Sequence, residues 1–307
     1  MARFEGYVNV GPGRVWFEST GDGPTILLLH GGPGAPSDYL VPLMELETDG
    51  YRVVRYDQLG SRRSDKPDDP TLWNVPRFVE EVETVRRELG LGQIHLIGQS
   101  WGSILALEYA IHHQHNLRSL VLYSGAASTI ECIEGMNSLR ALLPAESVEA
   151  LNRHEATGET SHPEYLAAIA ELYRRHLCRI EPYPPLMQES MDNMAHPVYT
   201  TMWGPNEFTC TGNLMDWERR DRLSEIEVPA LILCGRHDEV VPACSETMHN
   251  GIPESEWVIF ENSSHSAHFE EPDVFFRVLR GFLKRIDGSA PEMSRVRRET
   301  EPASQSV

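Results

Sequence analysis

Six short, nearly uninterrupted apolar runs recur along the chain, at residues 25–29, 51–56, 94–98, 117–122, 228–234 and 257–260. A strand with one wet face alternates apolar and polar residues, so runs such as Thr25-Ile26-Leu27-Leu28-Leu29 suit strands buried on both faces. Between several of them the apolar spacing changes to that of a helix. Residues 75–89 place Val75, Phe78, Val79, Val82, Val85 and Leu89 on one stripe, and 103–113 and 274–286 read the same way. Strand and helix alternating in this order predict a mostly parallel, doubly wound α/β sheet with helices on both faces. Ahead of it, residues 4–10 and 14–19 flank Gly11-Pro12-Gly13 and read as a hairpin.

The rhythm breaks once. From about 128 to 221 no buried strand is predicted, only helical stretches at 136–143, 145–153 and 163–178, with a break at Pro182-Tyr183-Pro184-Pro185. The expected organisation is therefore a core from 1–128 and 222–288 and an inserted helical cap at 129–221. Such a cap would stand over the carboxyl ends of the strands, where open α/β sheets bind ligands. From Asp287 onward the chain is polar and aperiodic, and 289–307 read as a disordered tail.

Composition excludes several function classes. The 27 Lys and Arg stand against 46 Asp and Glu, a formal charge of −19, which repels phosphate backbones and anionic headgroups; neither nucleic acid nor membrane is an expected partner. The five Cys (132, 178, 210, 234 and 244) form no CxxC pair and read as reduced packing residues. With no basic start followed by an apolar stretch and no run of membrane-spanning length, the expected location is the cytoplasm. The residues carry no signal for oligomeric state.

The run at 94–98 leads directly into Gly98-Gln99-Ser100-Trp101-Gly102 and then a helical pattern, the strand–turn–helix context of a G-x-S-x-G nucleophile elbow. Ser100 is the candidate nucleophile. A hydroxyl needs a neighbouring base, and this architecture supplies its partners in the order Ser, Asp, His. Asp238 follows the run ending at Cys234 and His265 follows the run ending at Phe260, each at the carboxyl end of a strand. Asp238 is assigned to orient the imidazole, and His265 to act as general base and then general acid. His268 competes with His265. His237 and Asp57 read as loop residues, Asp57 because it precedes Ser100 in the chain. His112, His113 and His115 read as solvated surface, with no carboxylate or Cys cluster beside them at ligand spacing, so no metal is expected. His30-Gly31-Gly32-Pro33-Gly34 follows the run at 25–29, the third strand once the hairpin is counted, from which the backbone N–H of Gly32 would join that of Trp101 in an oxyanion hole.

Together, the motif at 30–34, Asp57-Gln58-Leu59-Gly60, Gly98-Gln99-Ser100-Trp101-Gly102 and Met202-Trp203-Gly204-Pro205-Asn206-Glu207-Phe208-Thr209 resemble the proline iminopeptidase family of α/β-hydrolases, in the branch with the tricorn-interacting aminopeptidase and the L-amino acid amidases. The resemblance covers the chain except its tail. It implies an α/β-hydrolase core with a helical cap, no cofactor, and release of an N-terminal residue, often Pro, from a small peptide or aminoacyl amide. It also implies that acidic side chains capture the substrate's free amine, at the matching positions Glu207 and Glu239. Trp101 and Trp203 are expected to wall the substrate pocket. The chain departs from the family pattern at Ser103 and Arg62, where Gly is usual. On the same fold, an L-amino acid amidase or small-molecule esterase is the alternative activity. A binding protein without catalysis is disfavoured because Ser100, Asp238 and His265 are all present in order.

Overall fold

The computed structural model describes residues 3–288. Eight strands form one sheet in the order β1-β2-β4-β3-β5-β6-β7-β8: β1 (Phe4–Asn9), β2 (Arg14–Thr20), β3 (Thr25–Leu29), β4 (Arg52–Tyr56), β5 (Ile94–Gln99), β6 (Leu117–Tyr123), β7 (Ala230–Gly235) and β8 (Glu256–Phe260). The first hairpin is antiparallel and β2 joins β4 antiparallel; every later pairing is parallel. β3, β5 and β7 are buried along their whole length. Period-two geometry divides their side chains between two cores. Leu27, Leu29 and Leu96 face one core with Phe78, Val82 and Val85 of α1 (Val75–Glu88) and with α2 (Trp101–His113). Ile26, Leu28, Ile97 and Leu231 face the other, against Phe275, Leu279 and Phe282 of α10 (Pro272–Gly288).

Between β6 and β7 lie only helices: α3 (Thr129–Arg140), α4 (Ala145–Thr157), α5 (Pro163–His176), α6 (Pro185–Asp192) and α7 (His196–Met202). The Pro-rich break is a start signal rather than a gap. Pro184 precedes α6 and Pro185 occupies its first turn, where a missing N–H costs nothing. Completing the fold are α8 (Pro242–Gly251) and the single turn α9 (Ala267–Glu270).

Several boundaries differ from the sequence reading; the stretch read as helical at 136–143 is α3 at 129–140, and three other differences have a plain physical cause. β7 starts at Ala230 instead of 228, because Pro229 has no N–H for the ladder. α10 runs past the stripe read at 274–286 and includes the polar Asp287, whose carboxylate pairs with Arg118 at 2.5 Å. Residues 37–49 form a 3-10 segment with Pro42 inside it, whose irregular spacing gives no helical period. The expected disordered tail at 289–307 lies outside the described residues.

Candidate active site

The turn from β5 to α2 explains its two glycines. Ser100 sits at φ 59° and ψ −125°, a strained conformation for a residue with a side chain, and its N–H is held by the Tyr123 carbonyl at 2.9 Å. A Cβ at position 98 would stand 1.9 Å from the Gly102 carbonyl oxygen, and one at 102 would stand 2.2 Å from that of Leu29. Only Gly lets strand, turn and helix approach this closely.

Two further loops at strand ends bring the partners. His265 Nδ1 lies 2.7 Å from Asp238 Oδ1, both residues buried, while Val240 N–H donates to the same Oδ1 at 2.9 Å. Nδ1–H donating to Asp238 leaves Nε2 free, and it faces Glu239 Oε1 at 3.6 Å. His268 is engaged elsewhere: its ring nitrogens lie 3.0 Å from the Tyr123 hydroxyl and 3.0 Å from the Tyr39 carbonyl. One acceptor from the insertion joins the two loops. The carbonyl of His176, at the end of α5, takes the N–H of Glu239 at 3.2 Å and that of His265 at 3.1 Å.

A second network supports the segment after β3. Gly31 N–H donates to the Tyr39 hydroxyl, Tyr39 donates to Gln99 Oε1 (both 2.6 Å), and the Gln99 amide reaches the His265 carbonyl at 3.2 Å. Gln58 N–H donates to His30 Nε2 at 2.9 Å, and Trp101 Nε1 donates to Gln58 Oε1 at 2.8 Å. Gly32, at φ 107°, could not carry a Cβ, which would stand 2.6 Å from the amide nitrogens of Gly34 and Ala35. Its own N–H donates to no protein acceptor among the described residues. Trp101 opens α2, where an N–H has no intrahelical partner.

Two cavities meet at Ser100 and share Gly32, Glu207 and Glu239. The larger, about 240 Å³, also holds His265 and has an apolar wall of Tyr173, Leu177, Met187, Met191, Met194 and Tyr199. The smaller, about 30 Å³, is closed by Trp101, Trp203, Cys132, Met136, Leu214 and Val240. Thus the seven other site residues expected from the sequence gather around Ser100, with Asp238 behind His265. Hydroxyl, imidazole and carboxylate, with two backbone donors nearby, constitute machinery for acyl transfer.

Residues 24–272 match the family model of the alpha/beta hydrolase fold. A proline iminopeptidase of Saccharolobus solfataricus is 37% identical over 268 residues, covering 87% of this chain and 86% of that protein. One from Heyndrickxia coagulans is 36% identical over 92% of this chain and 99% of its own length. This chain belongs to the proline iminopeptidase family of α/β-hydrolases. Among solved structures, the family's fold is matched by a Mycobacterium smegmatis proline iminopeptidase (TM-score 0.87, 36% identity, 94% of this chain and 100% of that one) and by VinJ (TM-score 0.89, 39% identity, 92% and 99%).

This member of the proline iminopeptidase family concentrates negative charge around its base. Burial works against the imidazolium of His265, yet Asp238, Glu239 and Glu207 outweigh it and push His265 up to about 9. Burial pushes Glu207 up, with the Tyr199 hydroxyl and His265 opposing. Burial likewise pushes Glu239 well up; His265 opposes, while Glu207 and Asp238 add to the rise. Glu239 Oε2 is buried without a hydrogen-bond partner. His268 is pushed down to about 4 by burial, so it stays neutral.

Of this chain's two departures from the family pattern, Arg62 finds charge partners, whereas Ser103 Oγ is buried without a hydrogen-bond partner. Arg62 pairs with Asp38 at 3.0 Å and with Glu189 of α6 at 2.5 Å, tying the loop after β4 to the insertion. Ser103 leaves no room at 125, where a Cβ would stand 2.2 Å from its Oγ. The sequence reading missed Tyr39, Gln99, Tyr173 and Tyr199; Gln99 lies inside G-x-S-x-G, and no local motif marks the three tyrosines. Among the described residues a group of possible metal ligands forms at the α4–α5 turn, His154, His162 and Glu164; none lines either cavity at Ser100.

Proposed function

We propose that this chain is a serine aminopeptidase that releases an N-terminal residue, with Pro preferred, from small peptides or aminoacyl amides. The observation that carries this reading is the pair of carboxylates, Glu207 and Glu239, beside His265 in the cavities at Ser100, one of them with a buried oxygen lacking a partner. Such an oxygen is costly unless a donor arrives. A substrate ammonium supplies the donor and the compensating charge. Capturing a free amine next to the nucleophile selects the first residue and rejects internal bonds.

The small cavity takes the first side chain, and its closed apolar wall suits a compact ring. The larger cavity takes the leaving portion. Ser100 Oγ attacks the carbonyl carbon as His265 Nε2 accepts the hydroxyl proton, and Asp238 holds the resulting imidazolium. The N–H groups of Gly32 and Trp101 receive the oxyanion. Collapse breaks the C–N bond, the departing amine takes the proton from His265, and water activated by the same imidazole hydrolyses the acyl-enzyme. In this reading α3–α7 form a cap, residues 129–221, over a core of 1–128 and 222–288. A reducing cytoplasm suits five free cysteines, four of them buried. No helix among the described residues is long and apolar enough to cross a membrane.

The test is a panel of aminoacyl arylamides, each with a free or an acetylated amine. Cleavage of the free-amine forms alone, with Pro leading, and a loss of about four orders of magnitude or more in Ser100→Ala, is the expected result. Equal cleavage of acetylated forms would move the chain to the amidases or esterases.

A further inference from the structure

The placement of Glu239 bears on more than binding. Its Oε1 stands 3.6 Å from His265 Nε2, the nitrogen that must receive the Ser100 proton, and its Oε2 is buried without a partner. An imidazolium Nε2–H donating toward Glu239 has no lone pair for Ser100. Resting on the aminopeptidase reading above, we propose that the substrate's ammonium expels a proton held by the empty His265–Glu239–Glu207 cluster, so that capturing the amine and arming the base are one event.

The charge surroundings support this from every side. Asp238 and Glu239 come from the loop after β7 and Glu207 from the insertion, and each favours the imidazolium. From α9, His268 is kept neutral by burial. Tyr173, Tyr199 and Tyr39 face the cluster as phenols held protonated by burial. From α7 the exposed imidazole of His196 lines the larger cavity, and from α3 the thiol of Cys132, held protonated by the Cys244 thiol and by burial, lines the smaller; no Lys or Arg lines either. Three carboxylates and one imidazole, with no cation, retain a proton that a bound ammonium makes superfluous. When the ammonium arrives, its N–H groups pair with Glu239 and Glu207, the proton leaves to solvent, and Nε2 regains its lone pair. The charge of the cluster falls by one as the ligand brings one in, and no redox partner is involved. Specificity for a free amine then resides in kcat as well as KM, because a ligand without the charge leaves the base unarmed.

Two measurements test this. Ser100→Ala titrated with prolinamide near pH 7, in two buffers of different ionisation enthalpy, should release about one proton per molecule bound; binding without release overturns the proposal. In the second, p-nitrophenyl acetate carries no amine, so its kcat/KM profile reports the empty site. The wild type should rise with a midpoint near 9, the value to which the carboxylates push His265. Glu239→Gln should move that midpoint down by about one unit and raise ester turnover at pH 7 by about tenfold, while prolyl arylamide cleavage falls. Glu207→Gln should give a smaller shift in the same direction and serves if the first variant fails to fold. An unmoved ester midpoint together with lost arylamide cleavage would sink the coupling and spare the amine pair. Unchanged arylamide cleavage in both variants would instead remove the amine-binding reading itself.

Discussion

At the scale of single residues, the site depends on which atom of His265 is occupied. Asp238 holds Nδ1 at 2.7 Å and so fixes the tautomer that exposes Nε2. Asp238→Asn retains the shape but presents an amide that favours the wrong tautomer, and kcat should fall by about 10⁴-fold with the melting temperature close to wild type. Loss of activity accompanied by a large drop in melting temperature would show Asp238 acting through the fold instead. The choice between His265 and His268 could not be made from spacing, because both follow β8 and lie three residues apart on the same stretch of chain. It is made by burial partners: Tyr123 and Tyr39 occupy the ring of His268. Glu207 and Glu239 were found through family resemblance, and nothing in their immediate neighbours announces a cation site.

At the scale of elements, the elbow and the loop after β4 illustrate opposite degrees of legibility. The elbow is visible because a tight strand-to-helix turn leaves no space for side chains at 98 and 102, and that restriction is written as Gly. Gly98→Ala would place a methyl 1.9 Å from a backbone oxygen; we expect no folded, soluble protein, and a normal circular dichroism spectrum would contradict the packing described. The loop after β4 is hidden because its order comes from long-range charge pairing. Asp57 accepts from Ser37 N–H and Oγ and from Arg63 Nε, and Arg63 also pairs with Asp38 at 2.7 Å and lies over the Trp16 ring. Burial works against the Asp57 carboxylate, yet Arg63 overrides it and holds the group down at about 2. Since that lies below the unfolded value of 3.8, the contribution is complete above pH 4 and is lost as pH falls from there toward 2. It amounts to about 2 kcal/mol. Melting curves should therefore converge for wild type and Asp57→Asn as the pH approaches 2, with the variant well below wild type at pH 6. A constant gap would place the cost in packing, not in the ion pair. Histidines kept neutral by burial, such as His268, also destabilise the fold in acid, but they act equally in both proteins.

At the scale of the whole molecule, the formal charge of −19 surrounds a site that itself gathers carboxylates. A cationic substrate is drawn toward such a cleft and a neutral one is not. Raising ionic strength from about 0.02 to 0.5 M should lower kcat/KM for a free-amine arylamide several-fold and leave that of a neutral ester nearly unchanged; equal responses would show that the surface charge has no part in substrate capture. The overall architecture was legible because each buried strand is a local run and each helix a local stripe. How the insertion meets the core was not, since it depends on pairs far apart in the chain, such as Arg62 with Glu189 and His176 with both His265 and Glu239. That last contact limits how such an enzyme can diversify. Because one peptide carbonyl of the insertion pins the acid loop and the base loop together, the helices that select the substrate are also part of the jig that aligns the chemistry. New substrate preferences can therefore accumulate in the side chains of α6 and α7 that line the larger cavity, whereas exchanging the insertion wholesale between relatives would hand the recipient a new pocket and a misaligned base.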